Sequence, residues 1–251
     1  SNNLPVFRDV FVGRENELQT LQTQLRHRTG LFTLLGMGGT GKTRLAIEYA
    51  RDAVQDWSGG VCFCDLSDAR TTDGVLSAFA RALEIPLGKL DAVERIGNAL
   101  IGRGELLFII DNVEQVIEPI TPLLRHWFER APEVVFIATS RTVIGVPGER
   151  TWVVPPLSSD ASVALFIARA QRADPNFDPA PDDIPILTTL VDRLDCLPLP
   201  IELAAARSRM MTPQKMIERI GQRFKLLSSR GGGNDRHRTL RATLDWSWDL
   251  L

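Results

Sequence analysis

The chain has 251 residues, 44% of them apolar and 24% charged, with 29 Lys plus Arg against 31 Asp plus Glu. That is the composition of an ordinary globular protein, long enough for one large domain or for one domain and a smaller one. The near-neutral balance gives no electrostatic reason to expect nucleic acid or an anionic membrane as a partner.

No apolar run approaches the ~20 residues that a membrane helix needs, and no signal peptide opens the chain, so no membrane association and a cytoplasmic location are expected. Cys62, Cys64 and Cys196 form no CxxC pair and are read as buried, reduced thiols. His27, His126 and His237 are too far apart in sequence to suggest a metal site. The chain opens on Ser1 and stops at Leu251 while a helical pattern is still running, which reads as a piece excised from a longer protein.

In chain order, "LFTLLG" (31–36) is a short β-capable run that hands over to a helical pattern at "KTRLAIEYA". "GGVCFCDL" (59–66), "ELLFIID" (105–111) and "EVVFIATS" (133–140) are apolar at nearly every position, as parallel strands covered on both faces are. Helical stretches are expected between them at about 73–84, 91–102 and 114–130. "RTWVVPPL" (150–157) supplies a fifth strand. Strand alternating with helix predicts an α/β domain over residues 1–156, with a parallel five-stranded sheet, flanking helices and right-handed crossovers.

After Pro156 the pattern changes. Val163, Phe166, Ile167 and Ala170, then Ile186, Leu187, Leu190, Val191 and Leu194, then Met216, Ile217, Ile220 and Phe224 fall at helical spacing. Ser158 to Asp160 and Thr212-Pro213 offer helix starts. A small all-α domain is expected over 157–230. "SSRGGGND" (228–235) reads as a linker, and 231–251 as the beginning of a third unit.

The chemistry is concentrated in Gly36-x-x-x-x-Gly41-Lys42-Thr43, which fits the phosphate-loop spacing between a buried strand and a helix. Glycines let successive backbone N–H groups curl around a phosphate, where the helix N-terminus adds partial positive charge. The candidate phosphate contacts run from Met37 through Gly38, Gly39, Thr40 and Gly41 to Lys42, Thr43 and Arg44. Lys42 is expected to reach the β/γ oxygens, and the Thr43 hydroxyl to ligate Mg²⁺.

Asp111, just past the apolar run Leu107–Ile110, is the expected second Mg²⁺ ligand, alternatively a helix N-cap. The position after it, where many efficient ATPases of this architecture carry a second acid, holds Asn112, and an amide cannot take a proton from water. Glu114 is the nearest acid that follows and the candidate base, alternatively a solvated helix-start residue. Arg141, closing "ATSR", could reach a γ-phosphate or serve in a surface ion pair. Slow or conditional hydrolysis is expected.

Together these residues resemble the signal-transducing STAND ATPases with numerous domains, relatives of the NB-ARC proteins. "FVGRENELQTL" (11–21) resembles the entry motif of that family, whose Val-Gly-Arg segment, here Val12, Gly13 and Arg14, lies against adenine. "CLPLPIELAAAR" (196–207) resembles its Gly-Leu-Pro-Leu-Ala motif, with Pro198 at the proline that contacts the adenine or ribose edge. Cys196 and Pro200 depart from the usual glycine and alanine. "RFKLLSSRGGGNDRHRTLRATLDWSWDLL" is similar to the passage into the winged-helix part of bacterial LuxR-like and SARP-type regulators.

The resemblance implies an ATP/ADP-binding regulatory switch from a transcriptional regulator, with a slow Mg²⁺-dependent ATPase. ADP would be clamped between the α/β and helical domains at rest, and self-association would follow exchange for ATP. Sensor and effector domains would lie beyond this chain. The choice of adenine over guanine also rests on the resemblance. Direct nucleic-acid binding by this fragment is not expected, since Arg230, Arg236, Arg238 and Arg241 lack interleaved aromatics and read better as an interdomain salt-bridge set. The alternatives are a turnover ATPase of the AAA-like remodelling or DNA-loading type, with Arg150 either a donor across a ring or a solvated strand-edge charge, and a degenerate binding scaffold. The absence of an acid at 112 speaks against the first. Intact Lys42, Thr43 and Asp111 speak against the second.

Overall fold

A computed structural model describes residues 2–25, 30–86 and 91–228. His27, His237, the arginines from 230 to 241 and the expected third unit at 231–251 lie outside the described residues.

The first compact unit comprises residues 1–8, 15–38 and 42–154. Its elements are α1 (Glu15–Leu25), β1 (Leu31–Leu35), α2 (Lys42–Asp52), β2 (Val61–Asp65), α3 (Thr72–Ala82), α4 (Ala92–Arg103), β3 (Leu107–Asp111), α5 (Ile117–Arg130), β4 (Val135–Ser140) and β5 (Arg150–Val153). The strands form one sheet in the order β2-β3-β4-β1-β5, with every pairing parallel.

The apolar runs become strands because both faces are covered: β3 and β4 are buried at every residue. Phe108 stacks on Phe79 at 4.8 Å, and Phe79 meets Trp127 at 4.7 Å, so α3 and α5 share one aromatic layer over β3. The Trp127 indole is fully buried and donates to the Val93 carbonyl at 3.0 Å, which satisfies its one polar group.

Two details differ from the sequence expectation. The helix expected from 114 begins at Ile117, because Asn112 adopts a left-handed conformation (φ 62°) and Val113–Gln115 form a tight turn first. Glu114 therefore stands on a turn, not on a helix start. Cys62 and Cys64 are buried free thiols, but Cys196 is only half-buried.

The second unit comprises Asp9–Arg14, Gly39–Gly41 and the chain from Pro155 onward. Its helices are α6 (Ser159–Ala173), α7 (Ile184–Arg193), α8 (Pro198–Ala205) and α9 (Pro213–Ser228). Ser158 caps α6 by accepting from Ala161 N at 3.2 Å, and Pro198 opens α8, where a missing N–H costs nothing. Phe166, Leu187, Leu190, Val191, Leu194, Ile201 and Met216 form its core, with Val12 packed against them.

Before α8, Asp195 and Cys196 are both left-handed (φ 54° and 53°), which puts a non-glycine where that turn favours glycine. The turn is held by Cys196 N donating to Val191 O and by Leu157 N donating to Cys196 O, each at 3.0 Å.

Candidate nucleotide site

The strand order decides what can meet at the C-terminal end of the sheet. β1 lies between β4 and β5, and β3 lies beside β4, so the loop leaving β1 emerges beside the end of β4, with the end of β3 one strand further. Gly36 N donates to Ser140 O at 3.2 Å, which ties the loop's first residue to the last residue of β4. Gly39 and Gly41 have φ of 83° and 86°, a conformation L side chains rarely adopt, so the curl of the loop requires glycine there. Lys42 then opens α2, and its Nζ donates to the Gly36 and Met37 carbonyls, both at 2.8 Å. Burial lowers the Lys42 pKa and the Arg141 charge adds to this, while Glu114 and Asp111 oppose it.

Asp111 is 5% exposed and accepts on one oxygen from Thr43 Oγ1 and from Thr139 Oγ1, each at 2.5 Å. Burial pushes its carboxyl above the ordinary value, against the two hydroxyl hydrogen bonds. The Thr139 hydroxyl also accepts from Asn112 N at 3.1 Å, so β4 fixes both residues at the end of β3. Asn112 Nδ2 donates to Asp111 Oδ2 at 3.0 Å and to Asp65 Oδ1 at 3.4 Å. Glu114 and Arg141, nominated separately, meet each other at 3.1 Å, with the arginine side chain 58% exposed.

Of the residues singled out in the sequence, Lys42, Thr43 and Asp111 therefore converge, joined by Thr139. Arg44 turns away along α2: its Nε pairs with Glu48 at 2.8 Å, and its guanidinium lies 3.9 Å from the Phe7 ring centroid. Arg150 donates to Gln24 O at 2.9 Å and lies over the Phe32 ring, so it is engaged within the unit.

Val12, Gly13, Arg14 and Pro198 fall in the second unit together with the loop tip. Arg14 is 5% exposed, and its two terminal nitrogens donate to Pro155 O at 2.7 Å and Thr40 O at 2.9 Å. In that role it fixes main chain. Leu199 N donates to Gly39 O at 3.2 Å, and a Cβ on Gly41 would lie 3.6 Å from Pro198 Cγ.

Asp65 was not singled out in the sequence. The available signal was that β2 ends in aspartate as β3 does, and the register pairs Asp65 with Asp111.

The donor set suits Mg²⁺. A hydroxyl and a carboxylate in contact at the start of α2 are hard oxygen ligands, and few protein ligands are what this ion takes, since it keeps several waters.

The model of an AAA domain family matches residues 25–150, from before β1 into β5. The chain belongs to the AAA domain family. Its five-stranded parallel sheet with flanking helices is a P-loop NTPase-like fold, and nucleotide binding, usually with Mg²⁺, is the family property.

A protein described as an HTH-type transcriptional regulator of Mycobacterium tuberculosis is 38% identical over 227 residues, covering 88% of this chain and 25% of the relative. The regulatory protein AfsR of Streptomyces griseus is 26% identical over 267 residues, covering 99% of this chain and 26% of that protein. This AAA domain chain thus spans about a quarter of the length of those relatives. Among solved structures, the Walker-type ATPase of Pyrococcus abyssi aligns with a TM-score of 0.59 at 18% identity, over 87% of this chain and 74% of that one. A STAND protein with a tetratricopeptide-repeat sensor from Pyrococcus horikoshii aligns at 0.54 and 19%, over 87% and 33%. At those identities the likeness is one of fold. Among the described residues, no helix is long and apolar enough to cross a membrane.

Proposed function

We propose that this AAA domain is the adenine-nucleotide switch module of a STAND-type transcriptional regulator, NB-ARC-like in its motifs, holding ADP at rest and hydrolysing ATP slowly. The observation that carries this reading is the side-chain arrangement after β3. The residue following Asp111 is an amide engaged by two carboxylates, and the next acid, Glu114, is paired with Arg141. Neither is placed as an unencumbered general base, which favours slow hydrolysis.

The assigned roles follow from chemistry. The backbone of Met37–Gly41 and the start of α2 take the β-phosphate. Lys42 leaves its two carbonyl partners for the β/γ oxygens, and Arg141 leaves Glu114 for the γ-phosphate when ATP is present. Val12, Gly13, Arg14 and Pro198 serve the adenosine end. Mg²⁺, held by Thr43 and Asp111, would neutralise charge on the β- and γ-oxygens.

A switch needs a differential affinity between its states of about 5 kcal/mol for a near-complete population change, and the charge-assisted contacts of one phosphate are of that order. Residues 1–156, 157–230 and 231–251 are proposed as the nucleotide-binding domain, the helical domain and the start of a winged-helix domain. Self-association on exchange and sensor and effector domains elsewhere in the regulator complete the reading. It is supported by the relatives named as transcriptional regulators and by the STAND protein among the fold neighbours.

The test is to denature the purified chain and identify by chromatography the nucleotide that came with it. Near-stoichiometric ADP is expected. An empty site together with steady ATP turnover would replace the switch by a remodelling or loading ATPase.

A further inference from the structure

Among the described residues, a partly buried charged hub stands in the second unit. Arg169, on α6, has a side chain only 14% exposed. Its Nε pairs with Glu202 Oε1 on α8 at 3.0 Å, its Nη2 with Asp9 Oδ2 at 2.7 Å, and both Nη1 and Nη2 donate to Val10 O at 3.2 Å. One guanidinium therefore joins three segments, using the planar fork that a lysine lacks.

Two of those segments continue to the phosphate loop. From Asp9 and Val10 the chain runs to Arg14, which donates to Thr40 O at 2.9 Å. From Glu202 the helix runs back to Leu199, whose N donates to Gly39 O at 3.2 Å. The two arms thus grip successive carbonyls of the loop tip. In a trans peptide the C=O and the following N–H point in opposite directions. Holding Gly39 O and Thr40 O therefore sets the direction of the Thr40 and Gly41 N–H groups, away from the two arms. Those N–H groups belong to the stretch assigned to phosphate above.

We propose that Arg169 is a positioning residue that sets the lifetime of the bound nucleotide, by bracing from behind the two arms that orient the loop tip. This rests on the nucleotide reading of the loop. It adds a route for exchange: whatever draws Arg169 off Asp9 and Glu202 frees both arms at once, and two peptide planes of the loop lose their fixed direction.

The experiment measures dissociation of a fluorescent N-methylanthraniloyl ADP, chased with excess ADP, from the wild-type chain and from Arg169→Met, Arg169→Lys, Asp9→Asn and Glu202→Gln. The dissociation rate is expected to rise about tenfold in Arg169→Met, as loss of one charge-assisted contact's worth of restraint would give, with the association rate within about twofold of wild type. Arg169→Lys, a point charge in place of a fork, should recover part of the effect. Each partner variant should show a smaller rise.

Arg169→Met takes the guanidinium away from Asp9 and Glu202 and could lose its fold, so the three milder variants decide in that case. A role confined to stability would lower the thermal midpoint and the binding-competent fraction, yet leave the dissociation rate of the folded complex unchanged. Dissociation within about twofold of wild type in Arg169→Lys, Asp9→Asn and Glu202→Gln would overturn this proposal alone. A wild-type chain that binds no labelled ADP would overturn the nucleotide reading and this proposal with it.

Discussion

Asn112 and Asp65 are joined by a hydrogen bond of 3.4 Å across the ends of β3 and β2, and the same amide nitrogen donates to Asp111 at 3.0 Å. Two carboxylate acceptors orient the amide without ambiguity: the NH₂ must face them, and its two hydrogens are then used. Asp65 also accepts from Ser67 N at 2.8 Å and from the Ser67 hydroxyl. Burial raises the Asp65 pKa, but the hydrogen bonds from Ser67 and Asn112 outweigh it and hold the carboxyl below its usual range. The amide keeps two acids apart.

Asn112→Asp therefore puts a third carboxylate between two others. The new acid should have a raised folded-state pKa, as like charges enforce. Such a group contributes stability that is whole below its unfolded pKa and lost as pH rises through the folded one. The variant should lie close to wild type near pH 4 and fall behind by about 1–3 kcal/mol at pH 7, the range for losing hydrogen bonds to charged groups. Urea unfolding at the two pH values checks this. A deficit that does not change with pH would mean that the amide is not bridging acids.

Asp111→Asn tests the buried carboxylate itself. Burial raises the Asp111 pKa in the folded chain, so in wild type its contribution is present at low pH and lost as pH rises through the raised value. The asparagine variant lacks this titration. Its thermal midpoint relative to wild type should become steadily more favourable from acid toward neutral pH in metal-free buffer. Its nucleotide affinity should at the same time lose its dependence on Mg²⁺, by about tenfold or more. Scanning calorimetry across pH and titration calorimetry with and without Mg²⁺ separate the two effects.

What the sequence made legible follows from which signals are local. A strand buried on both faces is a run of apolar residues, and a phosphate loop is a fixed spacing, so β1 to β5 and Lys42–Thr43 could be read directly. Asp65 could not, because only the strand order makes β2 the neighbour of β3. Arg169 sits in an ordinary amphipathic helix, and two of its partners, Val10 and Glu202, are 159 and 33 residues away. Arg14 was legible as a motif residue, but its hydrogen bonds to carbonyls 26 and 141 residues distant had no local trace. The tight turn at Val113–Gln115 was missed because the sequence rules place a helix start after the aspartate, whereas the left-handed Asn112 redirects the chain first.

Gly13 offers a test of the entry motif that needs no nucleotide. Its φ is 57°, and a Cβ there would fall 2.4 Å from the Ala161 Cβ at the start of α6. Gly13→Ala should cost about 2–4 kcal/mol, combining left-handed strain with overpacking. Adding Ala161→Gly removes the collision and should return the steric part, leaving about 1 kcal/mol of backbone strain. Chemical denaturation of the two single variants and the double variant measures the split. Equal costs with and without Ala161 would mean that the segment does not lie against α6.

Cys196 gives the complementary case, a side chain where the backbone prefers none. At φ 53° a non-glycine residue is strained by about 1 kcal/mol, and the thiol contact to Asp192 at 3.7 Å is too weak to offset much of that. Glycine relieves the strain but frees the unfolded chain, which takes back part of the gain. Cys196→Gly should therefore fall between wild-type stability and about 1 kcal/mol above it. Cys196→Val, branched at Cβ in the same conformation, should lose about 1–3 kcal/mol. Urea midpoints for the two variants decide the matter. A glycine variant less stable than the valine one would mean that side-chain packing, and not the backbone strain of the turn before Pro198, determines what residue 196 can be.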